Sequence, residues 1–280
     1  MNIQEIDLNI DYNKAGMESP CIPCLFTGYI LHQYMSDISV KRPAIIILPG
    51  GAYKHISPRE SMPVATEYLA KGFSVFILSY TVSPNGYFPC ALLELFSAIQ
   101  HVRNHAEEYG LDPNRIYVCG FSAGGHAAAC SGVFWNHQLA RSMGFINNNH
   151  RPDGLILCYP VITSGLYSHK ESFVNLLGEK YNKKTLEFVS LEDKVTKDTP
   201  RTFIWHTAAD ESVPVQNTLM FVNALVSNGI ETEVHIYPRG EHGLSTARFD
   251  VLVPGRFSND PYIQHSVPDW ISDSVRFLNA

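Results

Sequence analysis

The sequence predicts an α/β protein with a mostly parallel sheet and helices on both of its faces, and three observations carry that expectation. Short, continuously apolar runs rich in β-branched residues recur along the chain, which is how strands read when both faces of a parallel sheet are covered. Segments of helical length separate these runs, so strand and helix alternate. The third observation is length. The chain has 280 residues, more than a minimal domain needs, yet no Pro/Gly/Ser-rich linker divides it, so 1–280 is expected to form one domain around one large core.

The elements follow in order. The first forty residues hold two apolar runs, Ile3 to Ile10 and Cys24 to Tyr34, with no helix-length segment between them, which predicts an antiparallel start. Ala44 to Leu48, Phe73 to Tyr80, Ile116 to Cys119, Gly154 to Tyr159 and Thr202 to Trp205 read as buried strands, and Glu231 to Tyr237 as a further strand. Arg59 to Lys71, Ala91 to Tyr109, Ala123 to Trp135 and Val215 to Asn228 read as helices. In the second of these, Leu92, Leu95, Ile99 and Val102 return at spacings of three and four, marking one buried stripe. Between Pro160 and Pro200 the pattern breaks into a Ser-, Glu- and Lys-rich stretch containing the amphipathic piece Phe173 to Leu177. It reads as a lid-like helical insertion, around 162–200, at the functional edge of the sheet. A closing helix is expected near Trp270.

Composition excludes several classes. With 45% hydrophobic and 17% charged residues, the chain is neither disordered nor a coiled coil. Its 21 basic and 27 acidic side chains give a net charge of -6, which supplies no electrostatic reason to bind nucleic acid or an anionic membrane. A small or neutral substrate is the expected partner. Of the six cysteines only Cys21 and Cys24 are close in sequence, and one C-x-x-C without a second pair makes a poor zinc site, so no metal is expected. The N-terminus carries Glu5 and Asp7 where a secretory leader would be basic, and no apolar run approaches the ~18 residues of a membrane span. A reducing cytoplasm is the expected setting.

The segment Ile116 to His126 carries the chemistry. It contains G-x-S-x-G as Gly120, Ser122 and Gly124. Three such positions arise by chance in roughly one chain of this length in ten, but here the motif follows a predicted strand and opens a predicted helix, the setting of a nucleophile elbow. The serine must occupy a tight, strained turn, and glycine two residues to either side avoids collision with the adjoining strand and helix. A serine hydroxyl also needs a base and a group that orients the base. Asp210 follows the predicted strand Thr202 to Trp205, and His242 follows Glu231 to Tyr237. All three residues therefore stand at carboxyl ends of strands, where open α/β sheets place ligand sites. The adjacent Glu211 is the alternative acid, and an N-cap is the alternative role for Asp210.

Attack on a carbonyl develops charge on oxygen, which preorganised N–H groups must stabilise. Ala123, at the start of a helix, supplies one N–H; Gly51 or Ala52, in the loop Pro49 to Tyr53, supplies the other. Tyr53 and Phe121 are candidates for lining the substrate mouth, with core packing as the alternative for each. Tyr159, Tyr167 and Phe173 are read chiefly as packing residues, with an acyl- or sugar-binding wall as the alternative, His126 as a helix residue beside the nucleophile, and His206 as a strand-end residue with a structural hydrogen bond.

These motifs resemble the α/β-hydrolase superfamily, in particular carboxylesterases and acetyl esterases related in scaffold to dienelactone hydrolases. The resemblance covers roughly Pro43 to Gly243 and rests on Pro49 to Tyr53, Gly110 to Ile116, Gly120 to His126, Asp210 to Pro214 and Gly240 to Gly243. It implies an α/β-hydrolase fold, a Ser122–Asp210–His242 triad, no cofactor, and cleavage of short-acyl esters with acetylated sugars as the leading candidate. An amidase, formamidase or peptidase of the same fold, or a non-catalytic binding protein on this scaffold, are the rival readings. Two departures stand out: Pro49-Gly-Gly-Ala replaces the His-Gly-Gly-Gly of many such esterases, and Ser122 replaces the cysteine of dienelactone hydrolases. Homodimers are common among such enzymes, but the sequence carries no readable mark of one.

Overall fold

A computed structural model describes residues 1–32, 40–248, 251 and 260–280. The end of the run Cys24 to Tyr34, and residues 249–250 and 252–259 of the segment 245–268, lie outside these residues. The described strands are β1 (Asn2–Glu5), β2 (Leu25–Ile30), β3 (Arg42–Leu48), β4 (Ser74–Ser79), β5 (Leu111–Phe121), β6 (Gly154–Cys158), β7 (Thr202–Thr207) and β8 (Thr232–Tyr237). They form one sheet in the order β1-β2-β4-β3-β5-β6-β7-β8. The first two strands are antiparallel to each other, and β2 is antiparallel to β4. All later pairs are parallel. The antiparallel start and the parallel centre follow the expectation from the sequence.

Nine α-helices are described: α1 (Met62–Ala70), α2 (Cys90–Asn104), α3 (Ala123–Phe134), α4 (Gln138–Ser142), α5 (Lys170–Leu177), α6 (Lys183–Phe188), α7 (Gln216–Ser227), α8 (Pro261–Ser266) and α9 (Trp270–Asn279). The side-chain period of two splits each central strand between two cores. Ala44, Ile46 and Leu48 of β3 join α2, α3 and α7 on one face. Ile45 and Ile47 join α1, α8 and α9 on the other. Covering both faces is why these strands show no polar alternation in the sequence.

Several boundaries differ from the sequence expectation, among them the end of β1 at Glu5 instead of Ile10 and the start of α1 at Met62 instead of Arg59. Helix α2 stops at Asn104 instead of Tyr109, because the chain must turn back into β5; Gly110 makes that turn at φ 67°. Strand β5 begins at Leu111, five residues before the expected start, since Leu111 already pairs with Arg42 ahead of a register shift. The insertion between β6 and β7 holds α5 and α6, and the amphipathic piece from Phe173 to Leu177 is indeed helical. All six cysteines are free, four of them buried. No described helix is long and apolar enough to cross a membrane.

The sheet order places β4 and β5 on opposite sides of β3. This reversal opens a crevice at the carboxyl ends of the strands, where ligands bind in such sheets. The loops leaving β3, β5, β7 and β8 meet there.

Candidate active site

Ser122 links β5 to α3 at φ 53° and ψ −117°, a conformation that costs an L-residue roughly 1–3 kcal/mol and persists only when its surroundings enforce it. They do. The Ser122 N–H donates to the Cys158 carbonyl at 3.0 Å, and the Ser122 carbonyl accepts the N–H groups of His126 and Val161, both at 3.1 Å. A Cβ at position 120 would lie 2.3 Å from the Gly124 carbonyl oxygen, and one at 124 would lie 2.2 Å from that of Leu48. The two motif glycines are thus where backbone meets backbone. Gly125 is constrained as well: a Cβ there would come within 2.8 Å of Pro160.

The structure brings Ser122, His242 and Asp210 together. His242 Nε2 lies 2.7 Å from Ser122 Oγ, and Nδ1 lies 2.6 Å from Asp210 Oδ2. With the acid ionised, Nδ1 carries the proton and Nε2 accepts from the serine hydroxyl. Asp210 Oδ1 accepts the N–H groups of Ser212 and Val213 at 3.0 and 2.9 Å, and Oδ2 lies 3.2 Å from His206 Nε2. Burial pushes the Asp210 carboxyl up, but the hydrogen bonds from His206 and His242 and the charge of His242 outweigh it and hold the group well below the usual carboxylate range. Glu211 is exposed. His206 is buried, its Nδ1 2.8 Å from Thr218 Oγ1 and its Nε2 2.9 Å from the Val213 carbonyl; it has the structural bonds expected of it and also touches the acid.

The loop after β3 reaches the same point. A Cβ on Gly50 would sit 2.9 Å from Ser122 Cβ. Gly51, Ala52 and Tyr53 follow with φ of 131°, 54° and 55°, and the Gly51 carbonyl accepts the N–H groups of Lys54 and His55. The N–H groups of Gly51, Ala52 and Ala123 donate to no acceptor among the described residues. They are therefore free to meet a developing oxyanion. A serine oxygen with an imidazole nitrogen at one side and unengaged amides nearby can attack an acyl carbon and stabilise the tetrahedral product.

Two assignments need correction. Phe121 is fully buried, packed on Tyr159 and Trp270 with ring centroids 5.9 Å from each. The last residue of β5 points into the core against α9, away from the mouth. Tyr53 is also buried, its hydroxyl donating to His126 Nδ1 at 2.8 Å while its ring meets Tyr80. It fastens the loop from behind. His126 in turn donates from Nε2 to the Val189 carbonyl in the insertion, and burial lowers its pKa to about 4.

Other residues at the site carried no signal in the sequence. His169, half-buried at the N-terminus of α5, is lowered from its usual pKa by burial and then by the charge of His242, with Glu171 and Asp210 opposing; it shares the electrostatic field of the relay. Asn175 on the same helix donates to the Ala52 carbonyl at 2.8 Å. Glu60, buried, accepts the Gly50 N–H at 2.7 Å. Among the described residues, no cluster of three His, Cys, Asp or Glu side chains could hold a metal ion.

Comparison with known proteins places these features in a family. Residues 33–225 match the BD-FAE family. The chain is 36% identical over 225 residues to endo-1,4-beta-xylanase B of Butyrivibrio fibrisolvens, covering 79% of this chain and 35% of that protein. It is 31% identical over 206 residues to an acetylxylan esterase of Xylanibacter ruminicola, covering 71% and 40%. The chain thus spans well under half the length of these curated relatives. Among solved structures, the acetyl ester-xyloside bifunctional hydrolase of Caldicellulosiruptor lactoaceticus is similar at a TM-score of 0.82 and 33% identity, with 99% of this chain and 95% of that one aligned. The carboxylesterase Cest-2923 of Lactobacillus plantarum is similar at a TM-score of 0.83 and 28% identity, with 100% and 97% aligned.

Proposed function

The chain belongs to the BD-FAE family of α/β-hydrolases, and from that premise we propose that it hydrolyses carboxylic esters of short acyl groups, acetyl esters of sugars foremost, with Ser122 as nucleophile. The observation that carries this reading is the hydrogen-bonded series from Ser122 through His242 to Asp210. His242 takes the serine proton as Oγ attacks the ester carbonyl, and the oxyanion rests on the N–H of Ala123 and that of Gly51 or Ala52. The imidazolium then protonates the departing alcohol, and water repeats the cycle to release the acid. Asp210 fixes the imidazole tautomer throughout. The sugar-ester preference is supported by the names of the acetylxylan esterase and the acetyl ester-xyloside hydrolase it resembles. We also place the helical insertion as a cover over this site, and the protein with its six free thiols in a reducing compartment.

Labelling with a fluorophosphonate probe and turnover of acyl substrates test the reading together. Wild type is expected to label and Ser122→Ala to remain unlabelled, with turnover reduced by at least about 10⁴-fold. Acetylated xylo-oligosaccharides and p-nitrophenyl acetate should be cleaved well, p-nitrophenyl decanoate poorly. Equal labelling of both proteins would remove Ser122 from the mechanism, and faster turnover of formamides would make the chain an amidase.

A further inference from the structure

The turn Pro58–Glu60, which precedes α1, lies outside the hydrolytic relay, yet it joins the two loops that the relay depends on. Glu60 is 4% exposed, and both oxygens of its carboxylate are engaged. Oε2 accepts the Gly50 N–H at 2.7 Å, and Oε1 accepts the Tyr159 hydroxyl at 2.6 Å. The Tyr159 oxygen in turn accepts the N–H of Ser245 at 2.9 Å. Ser245 closes the circuit by donating from Oγ to the Arg59 carbonyl at 2.6 Å, and the Arg59 guanidinium donates to the carbonyls of Gly243 and Val251.

The consequence is geometric. Gly50 abuts Ser122 and immediately precedes Gly51 and Ala52, so the bond to Glu60 sets the plane of the peptide from which the oxyanion donors follow. Ser245 lies three residues after His242, and the Tyr159 ring also packs against the His242 imidazole in a T-shaped arrangement, with centroids 5.1 Å apart at 74°. Tyr159 itself is held at φ 38° at the end of β6, with its N–H on the Trp205 carbonyl at 2.7 Å. A buried carboxylate and a buried phenol thus tie the oxyanion loop to the histidine loop through three hydrogen bonds in series. Core packing alone needs neither polar group, and burying both is costly unless each is fully bonded.

We propose that Glu60 and Tyr159 are a pair of positioning residues that hold the oxyanion N–H groups and His242 in register with Ser122. The proposal rests on the esterase reading above. Neither side chain touches substrate; together they fix the distance between the group that receives the proton and the groups that receive the negative charge. Misplacement at this scale is known to cost about 100-fold in rate, and it acts in the transition state, so kcat should fall while KM stays nearly constant.

The test compares Tyr159→Phe, Glu60→Gln and their double variant with Tyr68→Phe, all on p-nitrophenyl acetate, with melting temperatures measured alongside. Tyr68 is a suitable reference because it loses a buried bond of the same kind, to Ser274 Oγ at 2.8 Å, that is not one of the bonds of this circuit. Tyr159→Phe and Glu60→Gln should each lower kcat by about 10- to 100-fold with KM within about twofold. The double variant should fall little below the worse single one, since each change breaks the same circuit. Tyr68→Phe should lose stability without losing kcat. The proposal is overturned if Tyr159→Phe keeps kcat within the range of Tyr68→Phe, if the loss appears in KM alone, or if the two losses multiply. Should Glu60→Gln fail to fold, Tyr159→Phe decides alone, because phenylalanine fills the same space. Failure of the esterase reading would show separately, as turnover retained by Ser122→Ala.

Discussion

The turn that carries Ser122 and the insertion that carries α5 and α6 border the same crevice, but they are held by different means. The turn is fixed by backbone against backbone: glycines at 120 and 124 face carbonyl oxygens that a Cβ would strike, and every residue of α3 is buried. The insertion is fixed mostly by side chains. The N–H groups of Ile162 and Thr163 donate to Asn217 Oδ1 at 2.8 and 3.0 Å, Ser164 donates to Ser190 Oγ at 2.8 Å, and Asn182 with Thr185 caps α6. Leu166, Val174 and Tyr181 of the insertion stay exposed. Backbone contacts leave almost no room for sequence change, whereas side-chain ties can be exchanged one at a time. On the proposed reading, chemistry therefore belongs to the first region, and substrate preference to the second, where it can be tuned without disturbing the turn.

The same substitution made in both regions should have very different effects. In Gly124→Ala the new methyl group would lie 2.2 Å from the Leu48 oxygen and 2.4 Å from that of Pro49, so β3 and α3 must separate. Overpacking of this kind costs about 1–3 kcal/mol or more, and the displaced nucleophile should lose at least about 100-fold in kcat/KM. Gly165→Ala, in the insertion, would meet only Thr163 Oγ1 at 3.2 Å and should change stability by no more than about 0.5 kcal/mol. Thermal unfolding and p-nitrophenyl acetate turnover read both. Similar losses in the two variants would show that the regions are equally rigid.

This contrast also explains what could be read from the chain. The elbow was legible because its requirements are local: two glycines, a strand before and a helix after lie within a dozen residues. Ser122, Asp210 and His242 could be placed because each follows a strand whose apolar run is plain, and the direction of a parallel sheet does the rest. Phe121 and Tyr53 were misplaced for a physical reason. In a strand buried on both faces, neighbouring side chains are apolar whichever way they point, so nothing distinguishes Phe121 facing α9 from a residue facing substrate. Tyr53 depends on His126, and Glu60 on Tyr159, pairs 73 and 99 residues apart. Such partners become visible only when the chain is folded. His169 belongs with them, since an insertion helix carries no strand end to mark where its first residue lands.

A smaller effect is expected where the two regions are joined. His126 on α3 accepts from Tyr53 and donates to the Val189 carbonyl of the insertion. Burial lowers its pKa from 6.5 to about 4, so the folded protein prefers the neutral imidazole. The stability this contributes is complete above pH 6.5 and is lost as pH falls from 6.5 toward 4, because the unfolded chain takes up a proton that the folded one refuses; the limiting slope is about 1.4 kcal/mol per pH unit. Glutamine can accept from Tyr53 and donate to Val189 without titrating. Urea unfolding across pH 4–7 should therefore show a shallower acid-side decline for His126→Gln, by up to one proton. Parallel curves would mean that the histidine is not held neutral at this junction.

The smallest effect concerns a single tie from the insertion to the oxyanion loop. Asn175 donates from Nδ2 to the Ala52 carbonyl at 2.8 Å, and the loop it touches is already anchored at Gly50 by Glu60 and at Tyr53 by His126. Asn175→Ala removes one partly buried hydrogen bond, with a net worth of about 1 kcal/mol. Because the two flanking anchors remain, Ala52 should shift without leaving its left-handed conformation, and kcat/KM should fall by about fivefold, the equivalent of that single bond. Steady-state kinetics on p-nitrophenyl acetate and on an acetylated xylo-oligosaccharide separate two outcomes. An equal loss on both substrates means that the insertion supports the oxyanion loop; a loss confined to the oligosaccharide means that α5 acts through the sugar instead. A loss beyond about 100-fold, the scale of an oxyanion donor, would make the insertion as much a part of the chemistry as the turn at Ser122.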